Sequence, residues 1–377
     1  MEKKDKTLNV PHLRFPEFSG EWEMASIAEC FSLYSGNTPS RTQKDNFVGE
    51  LNWISSGELK THYLDYTAEH ISLKVAHENN LRILPVGTFV IAIYGLEAEG
   101  VRGTGSIITK ESTISQACMA FLPKGPITSE FLYAWYKKHG NLIGLKYAQG
   151  TKQQNLGYEI VEKLQLRFPS IAEQKKLELF ISLIDQRIET QKKIIEDLKK
   201  LKDAICISQL KSHYETEYMI GDLCKPIAAK QYISADITAA GAYPIIQQGE
   251  NPIAGYTESM PFMDYKDVIL FGDHTLSIFR PKSPFLLSTD GIKILKPNDM
   301  VNRDYLYYLI YTFMPEPEGY KRYYSILKDI WVPVPNISTQ KSIVGKLLSI
   351  DSKIEIEARM LELQFQQKQY LLASMFI

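Results

Sequence analysis

Reactive side chains at spacings that a fold can bring together are scarce in this sequence. Gly103-Thr104-Gly105 lacks the third glycine and the strand-to-helix setting of a dinucleotide loop, and no G-x-x-x-x-G-K-[ST] phosphate loop occurs. The [DN]-P-P-[YF] pattern of base amino-methylation and the G-x-S-x-G nucleophile elbow are also missing. The seven histidines form no H-E-x-x-H pair. His62 and His70 lie near Glu58, Asp65 and Glu69, a grouping that reads as a polar surface loop better than as a metal site. Cys30, Cys118, Cys206 and Cys224 are scattered without C-x-x-C spacing, as ordinary reduced thiols are. The expectation is a chain with no catalytic residue, no metal and no bound cofactor.

What remains suits binding. Thr38, Ser40 and Arg41 in the turn Ser35-Gly36-Asn37-Thr38-Pro39-Ser40-Arg41 offer hydroxyls and a guanidinium, the groups that meet phosphates and base edges. Ser55 and Ser56, after Trp53-Ile54, add a similar mixture. Lys152, Gln153 and Gln154 combine a cation with amides that can pair bidentately with adenine. Further along, Gln247, Gln248 and Asn251, and then Lys321 and Arg322, are the best counterparts. Each cluster also has the composition of a solvated loop, because loops are polar whatever they do. The aromatic run Tyr305 to Tyr311 reads as helix core rather than as a base-stacking platform.

The elements that must carry these clusters are written twice. Leu164, Pro169, Ile171, Gln174, Lys175, Ile184, Asp185 and Ile188 recur 166 positions later as Ile330, Pro335, Ile337, Gln340, Lys341, Ile350, Asp351 and Ile354. A repeat this long means two similar modules. In the first, Leu177, Ile181, Ile184, Ile188, Ile195, Leu198 and Ile205 follow steps of three and four along one helix face, interrupted at Gln191. In the second, Ile343, Leu347, Ile350, Ile354, Leu361 and Leu371 do the same, with Glu357 at the interruption. Pro169-Ser170 and Pro335-Asn336 supply the start signals. Narrow seams of this kind bury themselves against another helix, and the simplest partner for each is the other.

Short apolar, β-branched runs at Phe89 to Tyr94, Ser106 to Thr109 and Asp267 to Gly272 read as strands. Matches at a shift of 174, among them Tyr133 with Tyr307, place eight extra residues in the first module around Ala148 to Asn155. Between Gly36 and Pro85 the modules differ, so the frame is duplicated while the inserted surface is not. The expected fold class is α+β: two mixed, mainly β domains over 1–168 and 212–334, joined by helices over 169–211 and 335–377. Those helices should form an antiparallel coiled coil, with the domains as a pseudo-twofold internal repeat.

A net charge of -1 announces no nucleic-acid partner by itself, so any DNA contact must rest on local patches or be shared with basic partners. No apolar run reaches the roughly 18 residues that cross a bilayer, and the charged opening Met1 to Lys6 is unlike a signal peptide. A cytoplasmic location and no membrane partner are the expectation.

Pro11-His12-Leu13-Arg14-Phe15-Pro16-Glu17-Phe18-Ser19-Gly20-Glu21-Trp22, the Gly36-to-Arg41 turn, Trp53-Ile54 and the repeated proline-to-Gln-Lys helix start together resemble the specificity subunit of type I restriction-modification systems. The resemblance spans essentially the whole chain. It implies two target-recognition domains, each reading half of a split target in double-stranded DNA, with the helix pair as a ruler across an unread spacer. It also implies two modification subunits that bring S-adenosylmethionine and methylate adenine, and two restriction subunits that use ATP and Mg to translocate and cut. The subunit itself would catalyse nothing. DNA contacts carry over to Thr38, Ser40 and Arg41, whereas the second module has no G-x-T-P-S turn. An enzyme with an unfamiliar site, and an adaptor whose helices bind proteins, are the competing readings.

Overall fold

The computed structural model describes residues 9–150, 153–211 and 216–377. The chain divides into two units, Met1–Glu189 with Glu362–Ile377 and Thr190–Leu361, so the division falls inside both long helices, Ile171–Leu210 and Ile337–Met375.

Each unit is built on the same antiparallel frame. In the first, strand Phe31–Ser35 pairs with Cys118–Pro123, that with Phe89–Ala92, and that with Gly105–Ile108. In the second, Cys224–Ile227, Ile292–Pro297, Ile269–Gly272 and Ile278–Phe279 follow in the same order and sense. The third strand is buried along its whole length in both units, Phe89-Val90-Ile91-Ala92 and Ile269-Leu270-Phe271-Gly272. Covering on both faces explains why these strands read as continuous apolar runs without alternation. Burial of each large side chain contributes about 1.5–3 kcal/mol. The first unit adds a short edge strand, Tyr63–Leu64, parallel to Gly105–Ile108.

A second, smaller sheet accompanies each frame. Leu51–Ile54 lies between His70–Ile71 and Ser112–Ile114, and Tyr243–Ile246 lies between Ile253–Thr257 and Leu286–Leu287. In both sheets the central strand is antiparallel to one neighbour and parallel to the other.

The repeated helix start has a physical reason. Gln174, fully buried, donates from Nε2 to the Pro126 and Pro169 carbonyls at 2.9 Å each and accepts from Thr128 N at 3.1 Å. Gln340 donates to the Met300 and Pro335 carbonyls at 3.0 and 2.8 Å and accepts from Asn302 N at 2.8 Å. Thr128 and Asn302 are the N-caps of helices Ser129–Tyr147 and Arg303–Thr312, so one glutamine ties the long helix to the short one in each unit. An unpaired buried polar group costs about 1–3 kcal/mol, which gives this amide a strong structural role. The Tyr305-to-Tyr311 run lies within Arg303–Thr312 and its extension, with Tyr305 and Tyr308 fully buried.

Within each unit the long helices pack antiparallel. In the first, Leu177 shares a core with Leu371, Leu372, Met375 and Phe376, while Asp185 pairs with Lys368. In the second, Cys206 and Leu210 share a core with Ile343, Val344 and Leu347, while Lys202 meets Asp351 at 3.3 Å. Ile181, Ile188 and Ile195 are buried, and Ile184, Leu198, Ile350, Ile354 and Leu361 are half-buried. The interruptions of the two seams meet each other: Gln191 Nε2 donates to the Glu357 carbonyl at 3.1 Å and to its carboxylate.

Candidate nucleic-acid interface

Three chain segments leave the same places on the frame in both units. The first follows the central strand of the small sheet. Ile54 leads into Ser55-Ser56, and its carbonyl accepts from Ser115 N at 2.8 Å. Ile246 leads into Gln247-Gln248, and its carbonyl accepts from Ser288 N at 2.8 Å. The second segment follows the third frame strand, at Tyr94 to Thr104 and at Asp273 to Ser277. The third follows the short helix, at Ala148 to Gly150 with Gln153 to Leu156, and at Phe313 to Tyr324.

In each unit the second and third segments are bonded together. In the first, Leu96 N donates to Gln154 O at 3.0 Å, Gln154 N to Glu97 Oε2 at 2.7 Å, and Arg102 Nη2 to Gln154 Oε1 at 2.7 Å. The Gln154 amide N–H holds the Glu97 carboxyl below its usual range. In the second, Tyr323 N donates to Asp273 O at 2.8 Å and Tyr324 N to Asp273 Oδ1 at 2.7 Å. His274 Nδ1 lies 3.1 Å from Lys321 O, and its backbone N–H donates to Gln248 Oε1 at 3.1 Å. The second unit thereby brings Gln247, Gln248, Asn251, Lys321 and Arg322 to one place. Gln247 Nε2 donates to Asn251 O at 2.9 Å, Lys321 pairs with Glu318, and Arg322 lies 3.7 Å from Asp290. His274 and Tyr320 join them with rings stacked at 4.7 Å; His274 has no cluster around it in the sequence, and Tyr320 directly precedes Lys321-Arg322.

The first unit spreads its candidates further. Arg41 donates from Nη1 and Nη2 to the two Glu69 oxygens at 2.7 and 2.9 Å, and stacks over Phe47 at 4.8 Å and Trp53 at 5.5 Å. Those hydrogen bonds keep the Glu69 carboxyl below its usual range. A guanidinium has five N–H donors, so this one is anchored on one side with capacity left for another acceptor. Ser40 Oγ is 2.8 Å from Thr42 Oγ1, and Thr38 N donates to Asn37 Oδ1 at 2.9 Å. Gly36 admits no side chain, since a Cβ there would lie 1.7 Å from Ile114 O. Ser55 is partly committed to structure, because its hydroxyl and backbone N–H both donate to Glu58 in a capping box. Ser56 is half-buried and Gln153 is exposed, while Lys152 lies outside the described residues.

These groups position donors and acceptors; they do not activate a nucleophile. All four cysteines are buried and unbridged, and burial pushes the Cys118 and Cys224 thiols up to about 12. Among the described residues no group of His, Cys, Asp and Glu has the geometry of a metal site, and no helix is long and apolar enough to cross a membrane.

Residues 19–200 and 213–363 match the family model for the type I restriction modification DNA specificity domain. The MjaVIII specificity subunit of Methanocaldococcus jannaschii is 21% identical over 95% of this chain and 92% of its own length. The MjaIX specificity subunit of the same organism is 28% identical over 48% of this chain, but that match spans only 42% of the relative. Among solved structures, a type I restriction-modification S subunit from M. genitalium has a TM-score of 0.58 at 17% identity, covering 98% of this chain and 99% of that one. A chain from a structure of the type I R-M system described for its complex assembly has a TM-score of 0.59 at 14% identity, covering 93% and 96%.

Proposed function

The chain belongs to the type I restriction modification DNA specificity family, and we propose that each of its two units reads one half of a bipartite target in double-stranded DNA. The observation that carries this reading is the pair of three-segment sites. They leave one frame at equivalent places yet present different side chains, Ser55-Ser56 against Gln247-Gln248 and Gln153-Gln154 against Lys321-Arg322. A binding module that met one target twice would keep its contact residues along with its frame.

On this reading the chain is the non-catalytic member of its complex. Amides and guanidinium groups from the loops contact base edges, each bidentate pair worth about 1–3 kcal/mol of discrimination. Two modification subunits, with S-adenosylmethionine, methylate adenine at the site so chosen, and two restriction subunits, with ATP and Mg, translocate and cut. Phosphate contacts are shared with those partners, which accommodates a net charge of -1. The paired helices set the unread spacer, and one DNA turn of about 34 Å is the scale on which its phase matters.

Selection from a pool of random duplexes, by the full chain with and without a modification subunit, tests the proposal. Enrichment of two fixed half-sites around a spacer of constant length is expected. Enrichment of nothing, or of one uninterrupted site, rejects it. Seven residues inserted after Gln191 should keep the helical seam in phase and change the accepted spacer.

A further inference from the structure

We propose that His62 and Arg280 are positioning residues, latches that hold the reading segments of each unit on its pair of long helices and so set half-site discrimination. The inference rests on the DNA-reading function above and adds residues that no base contact would identify.

In the second unit the Arg280 guanidinium lies over Tyr307 at 4.2 Å, donates to Asp351 of the second long helix, and meets Asp304 at 3.6 Å. Lys202 of the first long helix reaches the same Asp351, and the Tyr308 hydroxyl donates to it at 2.6 Å. In the first unit His62 lies between Tyr63 and Tyr133, with ring centroids 4.1 and 3.9 Å away. Its Nε2 is 2.8 Å from Glu130, its Nδ1 is 3.9 Å from Asp185, and Lys368 pairs with that same Asp185.

Four members of the two clusters are related by the internal repeat. Glu130 and Tyr133 stand 174 positions before Asp304 and Tyr307, Asp185 stands 166 before Asp351, and Lys202 stands 166 before Lys368. The central group, His62 in one and Arg280 in the other, is not. His62 precedes the edge strand Tyr63–Leu64, which has no counterpart among the described residues of the second unit, whereas Arg280 follows Ile278–Phe279, the counterpart of Gly105–Ile108. The centre of a repeated acidic and aromatic socket is thus filled from two unrelated segments. Both segments are short tethers to reading loops. His62 stands four residues after Glu58, the partner of Ser55, and Arg280 three residues after Ser277, which closes the His274 loop. A tilt at either central side chain passes to the loop beside it.

The carboxylates respond to the socket. Burial acts to raise Glu130, and the hydrogen bonds from His62 and Tyr63 outweigh it and hold the group below its usual range. Asp351 is likewise lowered, with burial overcome by Tyr308, Lys202 and Arg280.

The test is duplex selection by the full chain with a modification subunit, for wild type, His62→Ala, His62→Gln, His62→Arg and Arg280→Ala, with thermal unfolding followed in parallel. His62→Ala and His62→Gln should blur one half-site by about tenfold, or about 1.4 kcal/mol, and leave the other sharp. Arg280→Ala should blur the opposite half, and His62→Arg should restore what His62→Ala loses. If folded His62→Gln keeps both half-sites at wild-type discrimination, or if both alanine variants blur the same half, the latch is wrong while bipartite reading stands. Should wild type itself select no split target, the function falls and the latch with it.

Discussion

Gln174 and Gln340 occupy equivalent places and make the same three hydrogen bonds. Ser55-Ser56 and Gln247-Gln248 also occupy equivalent places, but they share neither residue type nor bonding: Ser55 caps a turn with Glu58, and Gln248 braces His274. The contrast separates two jobs within one repeated frame. Where the repeat must hold its short helix on its long one, the geometry admits one side chain and keeps it twice. Where the loops face outward, the same backbone position accepts different chemistry in each unit. The latch falls between the two, with a preserved socket and a central side chain supplied from different segments.

The largest effect should come from the holding residues. Gln174→Ala leaves the Pro126 and Pro169 carbonyls and the Thr128 N–H without their partner, and should destabilise the first unit by about 2–3 kcal/mol. Gln340→Ala should do the same to the second. Amide exchange would show protection lost in the altered unit first, and equal loss in both would break the comparison. Next, Gly36→Ala pushes a Cβ into Ile114 O and must displace the turn carrying Thr38, Ser40 and Arg41. Weakened DNA binding of roughly tenfold or more is expected, at a cost in unfolding free energy of about 1–3 kcal/mol.

Acid should act on both sockets. Glu130 and Asp351 have folded values below those of the unfolded chain, so their stabilisation is fully present above about 4.5 and 3.8 and is lost as pH falls through the folded values. Glu130→Gln should flatten the acid limb of stability for the first unit alone, as followed by urea unfolding between pH 3 and 6. A smaller effect attends the Gln191 and Glu357 pair. Gln191→Leu with Glu357→Leu should leave stability unchanged or slightly raised, because an apolar pair replaces a buried polar one. The polar pair then earns its place by fixing helix register, and the double variant should accept a wider range of target spacers. An unaltered spacer preference would assign register to the seam alone.

Much of this architecture was legible in the sequence. The long helices, the Pro169-Ser170 and Pro335-Asn336 starts, the polar interruptions and the buried strands at Phe89 and Ile269 all depend on local sequence pattern, which survives in a linear reading. The equivalence of Ser55-Ser56 with Gln247-Gln248 was not legible. It depends on strand pairings such as Leu51–Ile54 with Ser112–Ile114, between segments far apart in sequence and with no side chains left in common. In the sequence His62 reads as one of two histidines in a polar loop, yet its partner Glu130 lies 68 residues away. The one linear trace of its socket is the repeat of Asp185 as Asp351 on the long helices, which does not say which segment fills the centre. Arg41 was singled out for its guanidinium, and its bonding to Glu69 and stacking on Phe47 and Trp53 came only with the fold.

Exchanging the proposed reading residues of one unit tests the division between frame and loops most directly. Gln247→Ser with Gln248→Ser, in the full chain with a modification subunit, should change the selected bases in one half-site while the other half and the spacer stay as in wild type. A change in both halves, or a selected sequence identical to wild type, would contradict two independent readers on one duplicated frame.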